Sequence, residues 1–184
     1  MRNKLLFLWV IFLLSMSYTA IAQQQKKINN YSFMKLYVTN SDNEVLLIGG
    51  DDWWEITGSR YNQALTVHEF VDWMAERMGI TVKNIRLRGM FTFFYDWREV
   101  KNPTLMHYYS AEYESGEPII PDGCKYIKWV KKSEINSLIP YNEMKMILHK
   151  IDESDCLLGG SFLIEKDENN KRVGKLIELF YRLY

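Results

Sequence analysis

The sequence predicts an α+β domain: short strands, one well-capped amphipathic helix set against them, and a β-hairpin at the C-terminus. Three observations carry that class. Residues 33–39 and 44–48 alternate as strands around the turn Asn40-Ser41-Asp42-Asn43. Val67, Val71, Met74 and Met78 recur at i, i+4, i+7 and i+11, the spacing of a helix with one apolar face. Residues 161–165 and 173–184 flank Asn169-Asn170, which reads as a hairpin turn. At 184 residues, 47% hydrophobic and 25% charged, the chain suits about one packed domain and is neither disordered nor fibrous.

The elements follow in order. After the first strand pair, Gly49-Gly50-Asp51-Asp52 turns the chain into Trp53-Trp54-Glu55-Ile56, and residues 57–64 read as a polar loop. Thr66 is an N-cap, Glu69 three residues on completes a capping box, and Gly79 closes the helix at C′. Residues 80–88, 90–95, 104–114 and 126–130 are strand-like. Ser133 and Pro140 bracket a helical turn, and residues 141–151 form a last helix.

The N-terminus is an address. Arg2 and Lys4 precede a twelve-residue apolar run, and Ala20-Ile21-Ala22 supplies a small-x-small cleavage pattern, so residues 1–22 read as a signal peptide and 23–32 as a leader. The run is shorter than the roughly 20 residues of a membrane span, so no stable span is expected after cleavage. Export to a periplasm or the cell exterior is the expectation. Of 23 basic and 23 acidic groups, cleavage removes two basic ones, leaving 21 against 23. That balance argues against nucleic acid as partner. Export also permits a disulfide between Cys124 and Cys156, with two free thiols the alternative.

Several residues in this order resemble the Nudix family. Trp54-Glu55-Ile56-Thr57-Gly58-Ser59 stands where that family has W-E-L-P-G-G, and Gly79-Ile80 closes its box. Gly58 and Gly79 are separated by the interval of G-x5-E-x7-R-E-U-x-E-E-x-G-U, where U is apolar. Glu117-Pro118, Trp129-Val130 and Ser133-Glu134-Ile135 look like its later landmarks. The resemblance implies a Nudix-like mixed β-sheet flanked by helices over residues 33–151, with 152–184 a C-terminal hairpin extension.

The family's activity is hydrolysis of linked nucleoside diphosphates, with box carboxylates holding magnesium or manganese. In the matched register R-E-U-x-E-E falls on Asp72, Trp73, Met74, Ala75, Glu76 and Arg77, and the loop glutamate on Ala64. Glu76 is the one surviving carboxylate, a degenerate box. A one-residue slip would pair Asp72 with Glu76 as metal ligands. Measured from the centre of the apolar stripe, however, Glu69, Asp72 and Glu76 lie at about 140–200°, toward solvent. A divergent pyrophosphohydrolase would then draw on Glu112, Glu114 or Asp122 after the box, with a non-standard divalent site.

The preferred expectation is a module without a required cofactor that has lost hydrolysis and binds a small, anionic or nucleotide-like ligand or a protein partner. Arg77, Trp73, Trp54 and Glu76 are its ligand-binding candidates. Arg86, Arg88 and Arg98 could also meet phosphate, or form a charged rim. The aromatic run 90–97 and Tyr108-Tyr109 could stack a ring, or pack in strands. A third reading has the C-terminal hairpin pairing with a partner strand. His68, His107 and His149 are scattered and read as surface or packing residues.

Overall fold

The computed structural model describes residues 32–97 and 103–184. The segments read from the sequence as a signal peptide and most of a leader, and Arg98, lie outside the described residues. The described chain folds as strands β1 (Ser32–Thr39), β2 (Glu44–Gly49), β3 (Trp54–Glu55) and β4 (Thr57–Arg60), then helix α1 (Val67–Glu76). Long strands β5 (Ile80–Tyr95) and β6 (Thr104–Gly116) follow, with β7 (Tyr126–Lys131). A 3-10 turn, Lys132–Glu134, runs into the short helix α2 (Ile135–Leu138), and then come α3 (Asn142–Glu153), β8 (Leu158–Lys166) and β9 (Arg172–Arg182).

The strands form one mixed sheet in the order β3-β2-β1-β6-β5-β8-β9, with β4 on β1 and β7 on β2. β1 lies parallel to β6, and β8 parallel to β5, while the other pairs are antiparallel. The C-terminal hairpin therefore continues the same sheet. Period-two alternation splits β1 between two layers: Met34, Leu36 and Val38 pack toward α1, Phe33 and Tyr37 toward α3. Phe70, Val71, Met74, Ala75 and Met78 form the buried face of the α1 segment, and Met144, Ile147, Leu148 and Ile151 that of α3. Each of the larger side chains contributes roughly 1.5–3 kcal/mol by leaving water.

Thr66 caps α1 as expected: its side chain accepts from the Glu69 backbone N–H, and the Glu69 carboxylate accepts from the Thr66 backbone N–H at 2.7 Å. Met74 is 2% exposed, in the box register. Val67 departs from the expected stripe: as the first residue of the helix it is 43% exposed, and Phe70 fills the apolar face instead.

Two other expectations are corrected. Residues 57–60 are strand, not loop, because their backbone pairs with Phe33–Leu36 of β1 although their side chains show no apolar alternation. Residues 80–88 and 90–95 are one strand: Gly89 lets Phe91 approach, since a Cβ there would sit 2.3 Å from the Phe91 ring. Of the two readings of Cys124 and Cys156, the structure has the free thiols, one packed at the edge of the α1 layer and the other in the turn after α3. No helix among the described residues is long and apolar enough to cross a membrane.

Candidate functional site

The box segment and α1 meet the 117–125 loop at the end of the helix. Gly79, with φ +74°, makes that meeting possible: a Cβ would lie 2.4 Å from the Glu117 carbonyl oxygen. The loop is tied down by Ile119 N–H donating to the Met78 carbonyl at 2.8 Å and Lys125 N–H donating to the Gly49 carbonyl at 2.8 Å. Between them lies a cavity of about 210 Å³, with Met74, Arg77, Trp53, Glu55, Asp122 and Cys124 in its lining.

Arg77 forms no ion pair among the described residues; its guanidinium lies over the Trp73 ring, 4.9 Å from the centroid. Neither neighbouring acid neutralises it. Glu55 is engaged by Lys35, whose ammonium donates to its carboxylate at 2.7 Å with only 7% of the lysine side chain exposed. Glu76 is exposed and does not line the cavity. Burial, and then the Glu55 charge, push the Cys124 thiol up, with Arg77 opposing, so Cys124 sits there as a neutral thiol.

Of the two tryptophans read as stacking walls, Trp73 supports Arg77 while Trp54 belongs to the other layer. Trp54 stacks on Tyr126 at 5.8 Å and carries the Lys128 ammonium 4.6 Å from its centroid. Trp53 is the tryptophan that lines the cavity. The sequence reading missed it because adjacent strand residues face opposite ways and nothing local says which faces in.

The acids of α1 are occupied elsewhere. Hydrogen bonds from Thr66 hold the Glu69 carboxyl below the usual carboxylate range, and Asp72 pairs with His68 at 2.8 Å. Glu112 accepts from Asn84, and Glu114 is exposed. Of the post-box acids Glu112, Glu114 and Asp122, only Asp122 lines the cavity, as Glu55 does. No group of three or more His, Cys, Asp or Glu residues among those described could hold a metal ion. Two carboxylates, one already bound by Lys35 and both beside a guanidinium, do not fit the several oxygen ligands that magnesium requires.

A larger cavity, about 260 Å³, adjoins across the Lys35–Glu55 pair, and Glu55 lines both. Phe33, Phe93, Tyr108 and Tyr141 supply its rings, so part of the aromatic reading of the sequence falls here. Its far wall is Glu143, side chain 2% exposed and paired with Arg172 of β9; the Glu143 Oε2 atom is buried without a hydrogen-bond partner. The sequence reading did not single out Lys35, Glu143 or Arg172, which come together only through the sheet.

Similar architecture occurs in solved structures. A MutT protein from Bacillus halodurans superposes with a TM-score of 0.66 at 23% identity, covering 79% of this chain and 97% of that one. A Nudix hydrolase from Nitrosomonas europaea gives 0.55 at 11% identity, with 68% and 90% covered. A UDP-X diphosphatase gives 0.51 at 10%, with 76% and 71% covered. No family profile and no curated protein matches the sequence. The chain has the Nudix fold, including its mixed sheet and flanking helices. At these identities it is the architecture that is shared, and the residues of the cavities carry the functional argument.

Proposed function

We propose that this protein is an exported Nudix-fold module that binds a small anionic ligand, nucleotide-like in shape, and has lost metal-dependent hydrolysis. One observation carries the reading. Arg77, at a box position where the family pattern has a metal-holding glutamate, faces the cavity with no carboxylate partner among the described residues. A cation bound at such a box serves to neutralise phosphate oxygens, and a guanidinium held over Trp73 neutralises them directly through paired N–H donors. It cannot lower the pKa of a bound water, so binding persists while hydrolysis does not. The adjoining ring-lined cavity gives the rest of such a ligand a place to lie.

A second reading, a divergent pyrophosphohydrolase, is favoured by Asp122 alone, which lines the same cavity as Glu55. Titration of adenosine diphosphate in chelator, read by tryptophan fluorescence, separates the two. The wild type is expected to saturate and Arg77→Ala to bind at least about tenfold more weakly, the loss of one charge-assisted contact. Equal affinities would remove Arg77 from the site, and magnesium-dependent release of phosphate would establish the second reading.

A further inference from the structure

At the opposite end of β1 from the ring-lined cavity is a separate polar cavity of about 170 Å³, bounded by β1, β5, β6 and the last turn of α3. Its cations are Arg86, Arg88 and Lys132, and its acids Asp152 and Glu112. We propose that it is a binding site for a tetrahedral oxyanion, independent of the Arg77 site.

The backbone is shaped for it. β5 breaks register with β6 three times, between Thr81 and Val82, between Lys83 and Arg86 and between Leu87 and Gly89, and the last two lie at the cavity. Asn84 takes φ +54° between Lys83 and Arg86, and Arg88 is the residue left out of the pairing between Leu87 and Gly89. Bulges of this kind re-aim side chains. Here they bring Arg86 and Arg88 onto the rim and wall of one cavity, with the Ser110 and Thr39 hydroxyls nearby.

The charges are left positive after internal pairing. Asp152 is consumed twice: it accepts the Tyr37 hydroxyl at 2.8 Å and the Lys132 ammonium at 2.7 Å. Glu112 accepts from Asn84 at 2.8 Å. Arg88 directs one terminal nitrogen to the Ile151 and Ser154 carbonyls, closing the C-terminal end of α3, and its contact with Asp155 is a 3.5 Å approach to a side chain 93% exposed. Capping α3 explains the position of Arg88 but not its Nε atom, which is buried with no partner. Arg86 has no hydrogen bond or ion pair among the described residues. Two guanidinium groups lining one small polar cavity, that of Arg86 without a partner among the described residues, are the donors an oxyanion takes in pairs. At about 170 Å³ the space is well below that of pockets for drug-sized ligands and suits inorganic phosphate or one phosphoryl group.

The test is calorimetric titration of inorganic phosphate into the Arg77→Ala protein at constant ionic strength, so that the first site is silent. One saturable site is expected. Adding Arg86→Gln, an exposed residue whose loss leaves the fold intact by thermal melting, should weaken it at least tenfold, and Lys132→Gln should weaken it several-fold. Glycerol 3-phosphate in a parallel arm distinguishes the source: equal affinity assigns the site to a phosphomonoester group, and binding of inorganic phosphate alone to the free ion. Absence of saturable binding, or unchanged affinity with Arg86→Gln, would overturn the proposal while leaving the Arg77 reading untouched.

Discussion

Substituting alanine for Gly79 tests how the helix end builds the cavity. Gly79 has φ +74°, and for an L-residue that left-handed conformation costs about 1–2 kcal/mol. The added Cβ would also meet the Glu117 carbonyl oxygen at 2.4 Å and the Ile119 Cγ1 at 2.9 Å. The first is backbone, so the 117–125 loop must move and the 2.8 Å bond from Ile119 N–H to the Met78 carbonyl is lost, roughly 1 kcal/mol more. The expected total is about 2–3 kcal/mol. Gly123, in the same loop, is the control: its φ is +82°, but a Cβ there meets nothing within 4 Å, so Gly123→Ala should cost only the conformational 1–2 kcal/mol. Urea denaturation of both variants reads the difference as a shift in midpoint at constant slope. Equal costs for the two would refute the claim that close packing of the loop on α1 shapes this site.

Other substitutions probe the remaining supports. Thr66→Ala removes the α1 cap and should cost about 1 kcal/mol by the same denaturation assay. Arg172→Ala leaves the buried Glu143 carboxylate unpaired and should cost about 3–5 kcal/mol; a second change, Glu143→Gln, should restore part of it. Burial holds His107 below its usual pKa, so the unfolded chain takes up a proton first as pH falls. The His107 contribution is therefore intact above about pH 6.5 and is lost progressively on going down toward the depressed folded value. His107→Gln should flatten this part of a stability profile measured between pH 7.5 and 5, and an unchanged slope would contradict the assignment.

What could be read from the sequence was local. Thr66 and Glu69 are three residues apart, and their reciprocal bonds need no tertiary partner, so the start of α1 was legible. Met74 was legible for the same reason, because its neighbours at helical spacing place it inward. The β4 segment was not: Thr57-Gly58-Ser59-Arg60 has no apolar period, and its strand conformation comes from hydrogen bonding to β1. The choice between Trp53 and Trp54 depends on how a two-residue strand registers on β2, with Gly49 opposite Trp54, and no local rule fixes that. The larger cavity was hidden for a topological reason. Lys35 and Glu55 are 20 positions apart, Glu143 and Arg172 are 29 apart, and only the finished sheet brings the two pairs to one space. The arginines of β5 were visible as charges, but the bulges that give them a common cavity were not.

The account turns on whether Arg77 does the work of a cation in binding without making the protein a hydrolase. Calorimetric titration of the wild type with adenosine diphosphate, once in chelator and once in excess magnesium, with phosphate release assayed afterwards, addresses both halves together. The account predicts the same affinity in the two conditions to within about twofold, and no phosphate released. Binding that requires magnesium, or adenosine diphosphate consumed in its presence, would contradict it.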